Sequence, residues 1–259
     1  MRSFITKVWA IGENTFKEAI RDRILYSIVF FAILILIIST VLDVVTIGQK
    51  TKIIKDVGLA SISLFGALIA IFVGIGLVYK ELDKRTIYTI VSKPVTRFQF
   101  ILGKYLGLVF TIFVEVAAMS VIFCLIVFFE SGSLDLLLLE AIALTFLELM
   151  LICAVAIFFS CFTTPILSGM FTLGVYIIGH LTYDLYEFSA TFKGTGLEIL
   201  LKVLYYVFPN LDNFNIRGNA VHGLPVSADF LLFSIMYGIL YIVLLFVVSS
   251  FIFNRRDFK

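Results

Sequence analysis

Leu136–Phe162 reads LLLLEAIALTFLELMLICAVAIFFSCF, with Glu140 and Glu148 as its only charged side chains. A helix crossing a hydrocarbon core needs roughly 20 consecutive apolar residues. This run exceeds that length and reads as a membrane span. Thr163-Thr164-Pro165 follow it. A threonine cap with proline at the first helical position ends one helix and starts another, which predicts a tight turn into a second span, Ile166–Tyr183.

Outward from this hairpin, four more runs are long enough to cross: Leu25–Leu42, Gly58–Tyr79, Tyr105–Phe129 and Phe230–Phe253. The 259-residue chain is 61% hydrophobic and 15% charged, with a mean hydropathy of +1.10. Soluble domains hold about a quarter charged residues, spread over every element. The expected fold is therefore an all-α membrane protein, one transmembrane domain over residues 1–259 with six transmembrane helices. The first apolar run follows Glu13, Glu18 and Asp22 and lacks a small-residue cleavage pattern, so it is read as a retained span and not a signal peptide.

Lysine and arginine orient such a chain, because they stay on the cytoplasmic side. Fourteen of the twenty lie in the N-terminal segment (Arg2, Lys7, Lys17, Arg21, Arg23), after the second span (Lys80, Lys84, Arg85, Lys93, Arg97, Lys104) and in the tail (Arg255, Arg256, Lys259). The other six are Lys50, Lys52, Lys55, Lys193, Lys202 and Arg217. Both termini are thus expected in the cytoplasm, in a multi-pass cell (inner or plasma) membrane protein. A formal net charge of +2 without a dense basic face argues against nucleic acid as a partner.

Three segments outside the spans carry pattern. In residues 1–23, Phe4, Val8 and Ile11 align with Ile5, Trp9, Phe16 and Ile20 beside them, while Lys7, Glu13, Lys17, Glu18 and Arg21 fall opposite. That is an amphipathic helix suited to the membrane interface. Residues 184–229 are too long for a connector, and Leu197–Phe208 within them form a short apolar helix ended by Pro209 that cannot cross and could dip into the outer leaflet. Lys80–Lys104 reads KELDKRTIYTIVSKPVTRFQFILGK. Glu81 and Arg85 have helical ion-pair spacing, Pro94 interrupts the helix, and Thr96 with Gln99 makes a capping box that starts the next one. Gly103 and Gly107 form a GxxxG that would admit another helix closely.

Glu115 and Glu148 lie inside predicted spans, where a carboxylate is costly enough to make a pathway role a working hypothesis. Glu140, nearer a membrane surface, reads as structural. Cys124, Cys153 and Cys161 sit in apolar runs without ligand spacing, and His180 and His222 have no cysteine or carboxylate at ligand spacing, so no metal site is expected. No nucleophile–base constellation and no GxxxxGK[ST] phosphate loop occurs. The chain is not expected to be an enzyme, to have a catalytic residue or to bind a cofactor directly.

Several landmarks occur in order along the chain: Asn14-Thr15-Phe16-Lys17-Glu18 with Arg21-Asp22-Arg23, Glu81 through Thr86, Ser92-Lys93-Pro94-Val95-Thr96-Arg97, Gly103-Lys104-Tyr105-Leu106-Gly107, and Arg255-Arg256-Asp257-Phe258. Together they resemble the ABC-2 type permeases, especially the multi-copper enzyme maturation permease branch. The resemblance implies a six-helix exporter half of the type V ABC kind that dimerises, with an identical or related chain, and docks on cytoplasmic ATPase subunits holding ATP and Mg2+. It assigns ATPase coupling to Glu81, Arg85, Lys93, Pro94, Thr96 and Arg97, and interfacial-helix roles to Trp9, Phe16, Glu18 and Arg21. Copper is not carried over as a substrate. Two other classes stay open: an ion-coupled secondary transporter or channel using Glu115 and Glu148, and a membrane scaffold recruiting a cytoplasmic protein.

Overall fold

In the computed structural model, the described residues are 2–41, 50–83, 96–133, 135–192 and 194–255. They form helices and turns in the order α1 Arg2–Ile20, α2 Arg23–Val41, α3 Lys50–Asp83, α4 Arg97–Ser131, α5 Leu136–Ser160, α6 Pro165–His180, α7 Thr182–Ser189, α8 Gly196–Val207, α9 Arg217–His222 and α10 Ala228–Arg255. Short 3-10 turns cover Ala190–Phe192 and Leu211–Phe214. No strand occurs among the described residues.

Four helices are long and apolar enough to cross a membrane singly, α3, α4, α5 and α10. Two further crossings arise only if α1 with α2, bent by 64°, and α6 with α7, bent by 62°, each count as one broken span. The chain is thus a multi-pass membrane protein with four to six spans. The ends of these elements follow local chemistry. Gly132 closes α4 in the left-handed conformation at φ 70°, a cap that glycine adopts without a Cβ penalty. Pro165 stands at the start of α6, but Thr164 makes no side-chain cap bond. The Thr163 hydroxyl instead donates back to the Phe159 carbonyl at 2.7 Å, and Ser160 and Ser168 join across the turn at 3.0 Å.

α5 sits at the centre, with Leu149, Leu151, Ile152 and Cys153 fully buried. α3, α4, α6 and α10 surround it. Lipid tails are as apolar as leucine, so close van der Waals fit rather than water exclusion holds such helices together. Small residues supply that fit: a Cβ placed at Gly74 would stand 3.1 Å from Ala156 Cβ, and one at Gly66 would stand 2.5 Å from Leu149.

The lysines and arginines divide between the two ends of this bundle. α3 begins at Lys50, which pairs with Glu130 near the end of α4 at 3.0 Å. Lys55 pairs with Asp135 before α5, and Arg217 Nε of α9 pairs with Asp56 at 2.9 Å. Arg97 and Lys104 lie at the opposite end, where α1 meets α4 and α10 finishes.

Candidate functional site

The end of the bundle bearing α1 is built around the first turns of α4. Thr96 is the N-cap: its hydroxyl accepts from the Gln99 amide at 3.3 Å, and the Gln99 side chain accepts from the Thr96 amide at 2.9 Å. This reciprocal pair satisfies two amides that a helix start leaves open. Arg97 then reaches the far side of the bundle, where Nη1 donates to the Phe253 carbonyl at 2.6 Å and the guanidinium lies 5.9 Å from the Phe253 ring centre. Phe100 stacks on the same ring at 6.3 Å. The start of α4 is thereby fastened to the end of α10.

α1 lies against the next two turns. A Cβ added at Gly103 would stand 2.7 Å from Ile11 Cβ, and one added at Gly107 would stand 2.6 Å from both the Gly12 carbonyl and Thr15 Cβ. Nothing larger than hydrogen fits, so the GxxxG pair and Gly12 set the separation of the two helices. Lys104, between these glycines, is 1% exposed, with Nζ 3.8 Å from Glu18 and 5.9 Å from the Phe100 ring centre. A buried ammonium needs compensating charge, and Glu18 supplies it from α1.

The buried face of α1 is therefore Val8, Gly12, Thr15 and Ala19, not its whole apolar stripe. Phe16 meets Phe110 edge-on at 4.6 Å. Trp9, 71% exposed, lines an apolar groove of about 550 Å³ between α1 and α4 together with Ile5, Phe16 and Phe110. Arg21 is exposed in the turn between α1 and α2. Of the remaining coupling residues, Glu81 lies on the last turn of α3 with its side chain outside the described residues, and Arg85, Lys93 and Pro94 also lie outside them.

At the opposite end, α6 stops at His180 and the chain turns into α7. α8 matches the predicted short helix, yet it buries no residue. The insertion into the bundle is made instead by Leu211–Phe214, whose Leu211 and Phe214 are both fully buried. A Cβ at Gly179 would stand 2.6 Å from Leu211 Cγ, so this insertion seats directly on α6. It brings Asp212 to His180, with Oδ1 3.6 Å from Nδ1, while the other imidazole nitrogen, Nε2, is 2.9 Å from Glu148. A carboxylate–imidazole–carboxylate chain results, running from the inserted turn to the buried middle of α5. It borders a cavity of about 320 Å³ whose polar lining includes Thr145, Tyr176, Asn215 and Arg217.

The two predicted pathway carboxylates do not meet. Glu148 lines this cavity, whereas Glu115 is buried on α4 within electrostatic reach of Cys153, and neither of its oxygens has a hydrogen-bond partner among the described residues. Carboxylates at positions 148 and 212 flank His180 in space, at separations no spacing rule connects. Among the described residues, no three histidine, cysteine, aspartate or glutamate side chains could together hold a metal ion.

The described residues thus form a helical bundle with four to six candidate membrane spans, a close helix joint at one end and a polar cavity toward the other. The family model of the ABC-2 family transporter proteins matches residues 9–258, and the chain belongs to that family. It is accordingly the permease component of an ABC transporter, a family that generally works with a cytoplasmic ABC ATPase. No curated protein matches the chain.

Proposed function

We propose that the chain is the permease subunit of an ATP-driven exporter, with six spans, a type V arrangement and both termini in the cytoplasm of a cell (inner or plasma) membrane. A second permease chain completes the pathway, and separate ATPase subunits bind ATP and Mg2+ on the α1 side. The narrower likeness to the multi-copper maturation branch rests on the motif resemblance alone.

The observation that carries this reading is the joint between α1 and α4. A force on α1 meets no compliant linker, because α1 touches α4 backbone to backbone at Gly12 and Gly107. Arg97 passes the same displacement to α10. Packed interfaces of this kind respond as rigid bodies that shift between discrete arrangements. ATPase closure would thus tilt α4 and α10 together.

Co-expression with a Walker-motif ATPase, copurification, and ATP hydrolysis measured in nanodiscs test the proposal. A stable complex whose hydrolysis rate depends on this chain is expected. Failure of every candidate ATPase to bind or respond would reject it. The ion-coupled alternative has less support, since Glu148 lines the polar cavity and Glu115 does not.

A further inference from the structure

Residues 210–217 fasten together the end of the bundle opposite α1. The Asn210 side chain accepts from the Asp212 amide at 3.0 Å, which starts the short turn Leu211–Phe214. The Asn210 amide donates to Tyr237 Oη of α10 at 2.8 Å, and the Asn213 carbonyl accepts from Ser234 Oγ of the same helix at 2.8 Å. Leu211 seats on Gly179 of α6, and Arg217 Nε reaches Asp56 of α3 at 2.9 Å. Asp212 faces His180 of α6, which in turn holds Glu148 of α5. This strap ties α3, α5, α6 and α10 to one another, and its Asn215, Ile216 and Arg217 wall the cavity. Lifting it would free α10 from α6 and open the cavity on that side.

One of these fastenings depends on a proton. Nε2 of His180 stands 2.9 Å from Glu148, and Nδ1 stands 3.6 Å from Asp212. A neutral imidazole has a single N–H, so it satisfies one carboxylate and turns a bare nitrogen to the other. Both contacts are favourable only when one further proton lies between Glu148 and Nε2, whichever of the two holds it. The Nδ1 hydrogen is then left for Asp212. Without that proton Glu148, 2% exposed, keeps the remaining N–H, while Asp212, 35% exposed, turns to water. Neighbouring groups do not replace the link. Arg217 is engaged by Asp56, and Tyr176 meets the imidazole edge-on at 4.7 Å. Asp184 and Glu187 of α7 are exposed and act on neither nitrogen. The other fastenings are neutral hydrogen bonds, apolar contacts and an arginine pair, none of which changes charge near neutral pH.

We propose that residues 210–217 form a proton-dependent latch, shut while a proton is held between Glu148 and His180 and released when that proton passes to water. Asp212 adds its negative charge beside the ring only in the shut state. The shut state therefore holds the proton more tightly, and raising the pH favours release. The inference rests on the permease reading only in making the strap side an exit for solute. The latch itself is measured on the chain without any ATPase, so its failure and the failure of ATPase coupling are separate results.

Ser234 is fully buried beneath the strap, and Ser234→Cys places a nearly isosteric thiol there. The full chain carrying this substitution, in nanodiscs, is treated with a water-soluble maleimide. Peptide mass spectrometry reads modification at position 234 against that of Cys153, buried in the core. Each rate is divided by that of a free thiol at the same pH. The normalised rate at position 234 should rise about two- to fivefold between about pH 6 and about pH 9, a modest change because Asp212 is partly exposed. Cys153 should not change. Asp212→Asn supplies an amide that donates or accepts as the ring requires, so its profile should be flat, as should that of His180→Gln. Arg217→Gln removes a fastening that carries no titrating proton, so the rate should rise at every pH with the slope kept.

A pH-independent rate in the Ser234→Cys chain, or its slope surviving in Asp212→Asn, would overturn the proposal. So would Cys153 reacting in step with position 234, which marks general unfolding. If His180→Gln does not fold, Asp212→Asn at the partly exposed rim decides alone.

Discussion

At the residue scale, two contacts at the start of α4 decide how that helix is held. Thr96→Ala removes one half of the capping box and should cost about 1 kcal/mol, read as a lower unfolding midpoint, with Thr96→Ser restoring most of it. Arg97→Ala removes a charge-assisted bond to the Phe253 carbonyl. Bonds of that kind contribute about 1.5–3 kcal/mol, so a larger loss is expected. Arg97→Lys keeps the charge without the planar fork and should recover only part of it. The same midpoint measurement orders these variants, and an unchanged midpoint in Arg97→Ala would show that the link to α10 contributes nothing.

At the element scale, the joint between α1 and α4 depends on atoms that are absent. Gly107→Leu would insert a side chain where a Cβ already meets the Gly12 carbonyl at 2.6 Å. Forcing volume into such a contact typically costs about 1–3 kcal/mol, and α1 should move away from α4. The expected outcome is a chain that still enters the membrane and still binds its ATPase but responds weakly to substrate, seen as hydrolysis uncoupled from transport. Full coupling in Gly107→Leu would remove α1 from the mechanism. α8 is a contrasting element. It has the apolar stripe of a packed helix and buries none of it, so its exposed residues Leu200, Val203 and Tyr206 stand free of this chain's own core.

At the scale of the whole molecule, the proposed topology places α1 and the start of α4 in the cytoplasm and residues 184–229 outside. In a cysteine-free background, cysteine at Gly194 should react with a membrane-impermeant maleimide in intact cells. Cysteine at Asn14 should react only after permeabilisation. The reverse pattern would invert the chain and put the α1 joint on the wrong side for an ATPase. Glu115 also belongs to this scale, because neither of its buried oxygens finds a hydrogen-bond partner among the described residues.

Sequence by itself determined the features that nearest neighbours along the chain control. Apolar run length marked the four helices long enough to cross singly, the Thr96–Gln99 spacing marked the capping box, Pro209 marked the end of α8, and Gly103–Gly107 marked a close helix contact. Each is a local rule about hydrogen bonds, backbone angles or side-chain volume, and each holds whatever surrounds it. Sequence did not say which helix meets those glycines, nor that Arg97 ends on Phe253, nor that His180 stands between Glu148 and Asp212. Those pairings join residues far apart in the chain, and only the way the helices pack, with the Leu211–Phe214 turn inserted on α6, makes them neighbours. The cavity exists for the same reason: residues of α3, α5, α6 and α9 line it together, and no single element contains it.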